Sequence, residues 1–210
     1  MKLGQITQPM AKLLEDTSAA ESYLYQNDTQ FARRAYIRSI FASFEGIVWL
    51  LKQVCLHAPS VSGPRKFDPA EFALLQDQTY DLKNNGETWT QTKFLRLPDN
   101  FRFTFSVFNR LLQAQIDLGV GGAPWDRFLR SLDVRHRITH PKKTAELDIS
   151  DQEIKLCQEV SSWFNETINK AVQAILEASK RATEVPNQGA VANPSATSRL
   201  SGGSPRKAGH

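Results

Sequence analysis

Apolar residues recur at Ile37, Ile40, Phe41, Phe44, Ile47, Val48, Leu51, Val54 and Cys55, the three-and-four spacing that lines one side of a helix. The pattern predicts one long helix over residues 28–57, with Asp28 as its N-cap and Pro59 barring its continuation. Asp68-Pro69-Ala70-Glu71 is a capping box with proline in the first turn, and predicts a shorter helix from about 69 to 83, ended by Asn84-Asn85-Gly86. Trp89 to Leu97 reads as extended. Phe101 to Phe105 alternates like a strand, but Phe105, Phe108, Leu111, Leu112 and Ile116 are helically spaced, so a helix is expected over 98–118, started by Pro98-Asp99-Asn100 and stopped by Gly119.

Pro124 opens a further helix that carries Trp125, Phe128, Leu129, Leu132 and Ile138 and ends before Pro141, because a residue preceding proline is pushed out of the α region. Ser150-Asp151-Gln152-Glu153 is a second capping box. It starts a long helix through Ile154, Cys157, Val160, Phe164, Ile168, Ala171, Ile175 and Ala178. An N-terminal helix is expected around 9–25. Beyond Glu184, Gly, Ser, Pro and Asn dominate and no aromatic occurs, the composition of a disordered tail. With short connections between long helices, the expected fold is all-α, an up-and-down bundle of four to six helices with a disordered C-terminal tail. The division is an N-terminal helical extension (1–27), the bundle (28–183) and the tail (184–210).

Charge sharpens this picture locally. The net charge is +4, but the residues beyond Glu184 include Arg199, Arg206 and Lys207 and no acid, which leaves 23 basic against 22 acidic residues elsewhere. A basic island remains between Asp126 and Lys143, where Arg127, Arg130, Arg135, Arg137, Lys142 and Lys143 face only Asp126 and Asp133. Such an island attracts polyanions or forms a solvated helix face. Cys55 and Cys157 lie in different amphipathic stretches and read as two buried thiols. No apolar run reaches the roughly 18 residues of a membrane span, and Met1 to Gln8 lacks a leader's apolar stretch, so a cytoplasmic protein without membrane contact is expected.

The island contains Arg135-His136-Arg137-Ile138-Thr139-His140-Pro141, where a helix must end. Arginine carries a fixed charge and a fork of donors suited to phosphate, and histidine exchanges protons near neutral pH. Five residues turn a helix by about 500°, so Arg135 and His140 stand about 140° apart on an ideal helix and converge only if His140 sits at the frayed end. His136 and His140, at i and i+4, share a side and also have zinc-pair spacing. No glutamate follows His136, Arg137 lies between the two, and Asp133 is the only nearby third ligand, so neither a metal nor another cofactor is expected. The plain alternative is a terminal histidine complementing the helix dipole.

Arg135-His136-x-x-x-His140 followed by Pro141 resembles the signature of the HEPN superfamily: an arginine, then Asn, Asp or His, three free residues and a histidine. The flanks are similar too, with a preceding helix, Pro141-Lys142-Lys143, the Ser150 capping box, a closing helix with Trp163, and an early helix with Tyr36, Ile40, Phe44 and Glu45. The resemblance covers residues 28–182, and the motif is its specific part. It implies a bundle of four or five helices, usually dimeric. Many members are metal-independent ribonucleases of toxin, phage-defence or RNA-processing systems, while others are inactive binding or scaffolding modules. For this chain it implies an endoribonuclease acting on RNA through Arg135 and His140, as a homodimer, with an antitoxin protein as a candidate partner. The alternative is a silent module that binds nucleic acid or a partner protein.

The remaining residues take supporting places. His136 makes a polar contact that sets the geometry, and Thr139 bonds the backbone or a phosphate. Arg130, Arg137, Lys142 and Lys143 are candidates to hold RNA. Glu45 is heptad-spaced with Arg38 and Lys52 beside the apolar stripe, and either orients Arg135 or His140 or is an ordinary helix flank. Arg33 and Arg34 contact phosphates or mark an exposed helix start, and Phe101 to Phe108 stack bases or fill the core.

Overall fold

The structure, a computed structural model, describes residues 4–58 and 67–184. Six helices dominate it: α1 (Gly4–Gln26), α2 (Gln30–His57), α3 (Pro69–Leu75), α4 (Leu97–Leu112), α5 (Ala123–Thr139) and α6 (Asp151–Glu184). A hairpin of β1 (Gln78–Leu82) and β2 (Thr88–Thr92) and a 3-10 turn (Thr144–Leu147) complete the order. The all-α bundle is therefore present. The expectation for the tail lies outside the described residues.

Four helices each contribute one phenylalanine to the centre. Phe44 of α2 lies 4.0 Å from Phe164 of α6, 6.2 Å from Phe101 of α4 and 6.4 Å from Phe128 of α5, between ring centroids. Tilted and edge-on rings at these separations add specific attraction to the area buried. Phe101, Phe105 and Phe108 are all buried, so this run fills the core and stacks no ligand. Cys55 and Cys157 are buried and joined in no disulfide, and burial, with Glu153 nearby, pushes the Cys157 thiol up to about 12. The N-terminal helix, expected as an extension, lies along α2 and places Ile6, Met10 and Leu24 in the same core. Among the described residues α2 is long and apolar enough to cross a membrane, but 61% of its apolar window is buried inside the fold.

Three boundaries differ from expectation. Thr29, not Asp28, caps α2, its hydroxyl accepting from the Ala32 N–H at 3.2 Å, while Asp28 pairs with Arg33. The helix expected over 69–83 keeps its capping box, with the Glu71 N–H donating to Asp68 at 2.7 Å, but stops at Leu75. Asp77 takes a left-handed φ of 54°, and its carboxylate binds the fully buried Lys52 Nζ at 2.5 Å. That tertiary pair turns the chain into β1. Antiparallel pairing of Gln78 with Thr92 through Leu82 with Thr88 follows. Asn84-Asn85-Gly86 closes the hairpin rather than a helix, with Gly86 at a φ of 84° that suits glycine.

The helix expected over 98–118 ends at Leu112. The Asn109 side chain captures Ile116 by accepting from its N–H at 3.1 Å and donating to its carbonyl at 2.8 Å, while Arg181 donates to the Leu112 carbonyl at 2.7 Å. These bonds satisfy groups that further helix would have paired.

Candidate functional site

Pro124 sits in the first turn of α5, and Trp125, Phe128, Leu132, Val134 and Ile138 face the core. Burying that side fixes the helix's rotation, and so fixes where the motif points. Arg135 lands against α2. Its Nη2 donates to Glu45 Oε1 at 2.9 Å, with both side chains partly open to water. Thr139 donates back to the Arg135 carbonyl at 2.7 Å. His140 is the C-cap: its backbone N–H reaches the His136 carbonyl at 3.0 Å, but at φ −127° and ψ 58° it has left the helix, and its side chain is exposed. His136 is exposed as well.

Arg135 and His136 line an open cleft of about 550 Å³ between α5, α2 and the start of α4. His140 is not among the residues that line it. Across the cleft, Arg96 Nε lies 3.1 Å and Arg102 Nη2 2.9 Å from one carboxylate, Asp99, and these guanidiniums, Arg102 first, hold it below the usual carboxylate range. Sequence reasoning missed this wall, although Arg96, Asp99 and Arg102 stand at readable helical i, i+3 spacings. Among the described residues no three His, Cys, Asp or Glu side chains converge as a metal ion needs.

No family model, curated protein or solved structure matches this chain.

The other basic candidates divide. Arg137 turns inward and donates to the Glu146 carbonyl at 2.6 Å, the Asp148 carbonyl at 2.9 Å and Glu153 Oε1 at 2.5 Å. Burial would raise the Glu153 carboxyl, but the Ser150 N–H and hydroxyl together with Arg137 outweigh it and hold it below its ordinary value. From α2, Arg38 donates to the Ile138 carbonyl at 3.1 Å, Arg34 to the Leu147 carbonyl at 3.0 Å and Arg33 to the Ile149 carbonyl at 2.8 Å. Gln30 bonds both backbone groups of Ile149. Arg33 and Arg34 thus hold protein carbonyls, which leaves few donors for a phosphate.

Arg130, Lys142 and Lys143 are exposed, and the two lysines line a shallow hollow with Pro141, Thr144 and Leu147. The Lys142 backbone N–H is fixed by Glu146 at 2.7 Å. The column Arg38, Glu45, Lys52 on α2 is fully employed, on the end of α5, on Arg135 and on Asp77 respectively.

Proposed function

We propose that the chain is a HEPN-like, metal-independent endoribonuclease with Arg135 and His140 as its reacting pair. One observation supports this most: the arginine of the Arg-His-x-x-x-His pattern sits at an open cleft, anchored by Glu45, while the histidine stands exposed just past the helix end. RNA supplies its own nucleophile, the 2′-hydroxyl. Its oxygen bonds to phosphorus as the bond to the 5′-oxygen breaks, leaving a 2′,3′-cyclic phosphate and a 5′-hydroxyl. A histidine takes the 2′ proton or delivers one to the 5′-oxygen, and the guanidinium stabilises the charge that builds on the phosphoryl oxygens. Glu45 acts through Arg135 as a positioning residue. Arg130, Lys142 and Lys143 supply surface charge that attracts RNA.

Two proton transfers ask for more than one histidine, and His140 stands outside the cleft lining in the single chain. A two-fold homodimer would supply a second copy of each group. The same observation favours the second reading, a silent module that binds nucleic acid or a partner protein. The setting that the first reading implies is a cytoplasmic toxin or phage-defence component with a neutralising protein partner.

The test is incubation of the purified protein with single-stranded RNA in EDTA, with the product ends then mapped. Cyclic phosphate ends are expected. Intact RNA that is nevertheless bound would establish the silent module instead.

A further inference from the structure

The Arg135 cleft does not stop at Arg135. Glu45, Leu95 and Leu97 line it and also line a neighbouring hollow of about 360 Å³, so the two adjoin. Trp49 of α2 and Phe94 of the link between β2 and α4 line the second hollow. Phe94 is 82% exposed and Trp49 50%. A scattered exposed apolar side chain is ordinary and carries nothing alone. Here the two rings belong to one hollow, and the link that bears Phe94 is braced: the Lys93 N–H donates to the Asp77 carbonyl at 2.7 Å, and Asp77 is pinned by the buried Lys52.

The cations lie along the same path. Arg96, Arg102 and Arg135 line the cleft against the carboxylates Asp99 and Glu45, which leaves an excess of positive charge before His136 is counted. Asp99 is shared by two guanidiniums, and Arg96 keeps 88% of its side chain in water, so it retains donors for another anion. Flat aromatic surface beside free guanidinium donors is the chemistry that holds a single strand of nucleic acid, bases on the rings and phosphates on the arginines. Duplex RNA does not fit it, because its bases are already stacked on one another.

We propose that the hollow at Trp49 and Phe94 receives an unpaired base of single-stranded RNA, whose adjoining phosphates lie on Arg96 and Arg102 and lead the chain to Arg135. This deepens the ribonuclease reading and rests on it for the identity of the strand. It makes Trp49 and Phe94 residues that select single strands over duplex.

The experiment measures binding of a labelled single-stranded oligoribonucleotide to full-length His140→Ala protein, with the same sequence as duplex for comparison. Phe94→Ala and Trp49→Ala, added to that background, are each expected to weaken single-strand binding about tenfold. Phe94→Trp is expected to restore it, and an oligonucleotide with abasic positions is expected to bind both Phe94 forms alike. Arg96→Ala and Arg102→Ala are expected to weaken binding and lower its salt dependence. Melting curves identify any variant that has lost its fold, and the exposed Phe94 pair then carries the result.

Binding by the Phe94 and Trp49 variants within about twofold of the parent would overturn the proposal, as would equal affinity for duplex or no RNA binding at all. Loss of a dimer in Phe94→Ala, read by light scattering without a change in RNA affinity, would also overturn it by assigning the face to a second copy. Phe94-dependent binding by a chain that never cleaves RNA would keep the track and sink the nuclease. Cleavage with no dependence on Phe94 would do the reverse.

Discussion

Arg137 directs its donors to two backbone carbonyls and Glu153, whereas Arg135, two residues earlier on the same helix, has one half-open carboxylate and a cleft beside it. The same contrast runs along α2. Gln30, Arg33, Arg34 and Arg38 hold the 138–149 segment by its backbone, while Glu45, further along, reaches a side chain at the edge of the cleft. A guanidinium enclosed by carbonyls is part of the scaffold. One that shares a single carboxylate at a cleft keeps donors for a ligand. In a basic island the residue type does not separate these roles, but the partners do.

The scaffold side of the contrast breaks most severely at its centre. Phe44→Ala removes the ring that meets one phenylalanine from each of three other helices, and is expected to cost about 3–5 kcal/mol in denaturant unfolding. Asp77→Ala leaves the Lys52 ammonium buried without its carboxylate and is expected to cost about 3 kcal/mol, with amide exchange rising first in the hairpin. Arg137→Ala is expected to cost about 2 kcal/mol, because hydrogen bonds to a charged group are lost and two carbonyls are released. Hydrogen exchange in residues 144–149 should report that change, whereas Arg135→Ala should leave those amides protected.

A gentler probe is pH. The Glu153 carboxyl lies below its ordinary value in the folded chain, so it contributes stability above the unfolded value and loses it as pH falls through the folded one. Glu153→Gln is therefore expected to flatten the acid side of the stability profile and leave the neutral-to-alkaline side unchanged in shape. A profile of unaltered slope in the variant would remove Glu153 from the scaffold. Arg135→Ala stands at the small end, at under about 1 kcal/mol, since exposed ion pairs contribute little. Its effect on RNA cleavage is expected to be complete.

The bundle was legible because its cue repeats: every long helix carries a periodic apolar side, and the boxes at Asp68 and Ser150 stand where the structure has them. The misread boundaries turn on particular side-chain bonds, some local, as at Asp28 and Asn109, and some far along the chain, as at Asp77. Nothing near Asp77 says that Lys52 will bury against it, although the Asn85-Gly86 pair between Thr- and aromatic-rich runs is a hairpin cue that outranked the helix stop assigned to it. Asn109 ends α4 by a bond to Ile116 that no local propensity contains.

At the candidate site, the heptad of Arg38, Glu45 and Lys52 marked one side of α2, and the partner of Glu45 was one of two candidates. The destination of Arg137 was not readable, because one basic residue among several looks the same in sequence whether it meets water or three acceptors. The Arg96–Asp99–Arg102 wall was missed for a related reason, as its value lies in facing Arg135 across the cleft.

The most direct test sets function against fold in one sample. His140→Ala changes an exposed side chain and keeps the backbone N–H that caps α5 on the His136 carbonyl. Cleavage of single-stranded RNA in EDTA and helical circular dichroism with a melting curve are measured on the same preparation. The account predicts that cleavage disappears while the spectrum and the melting temperature stay with the parent. Cleavage at the parent's rate would contradict it.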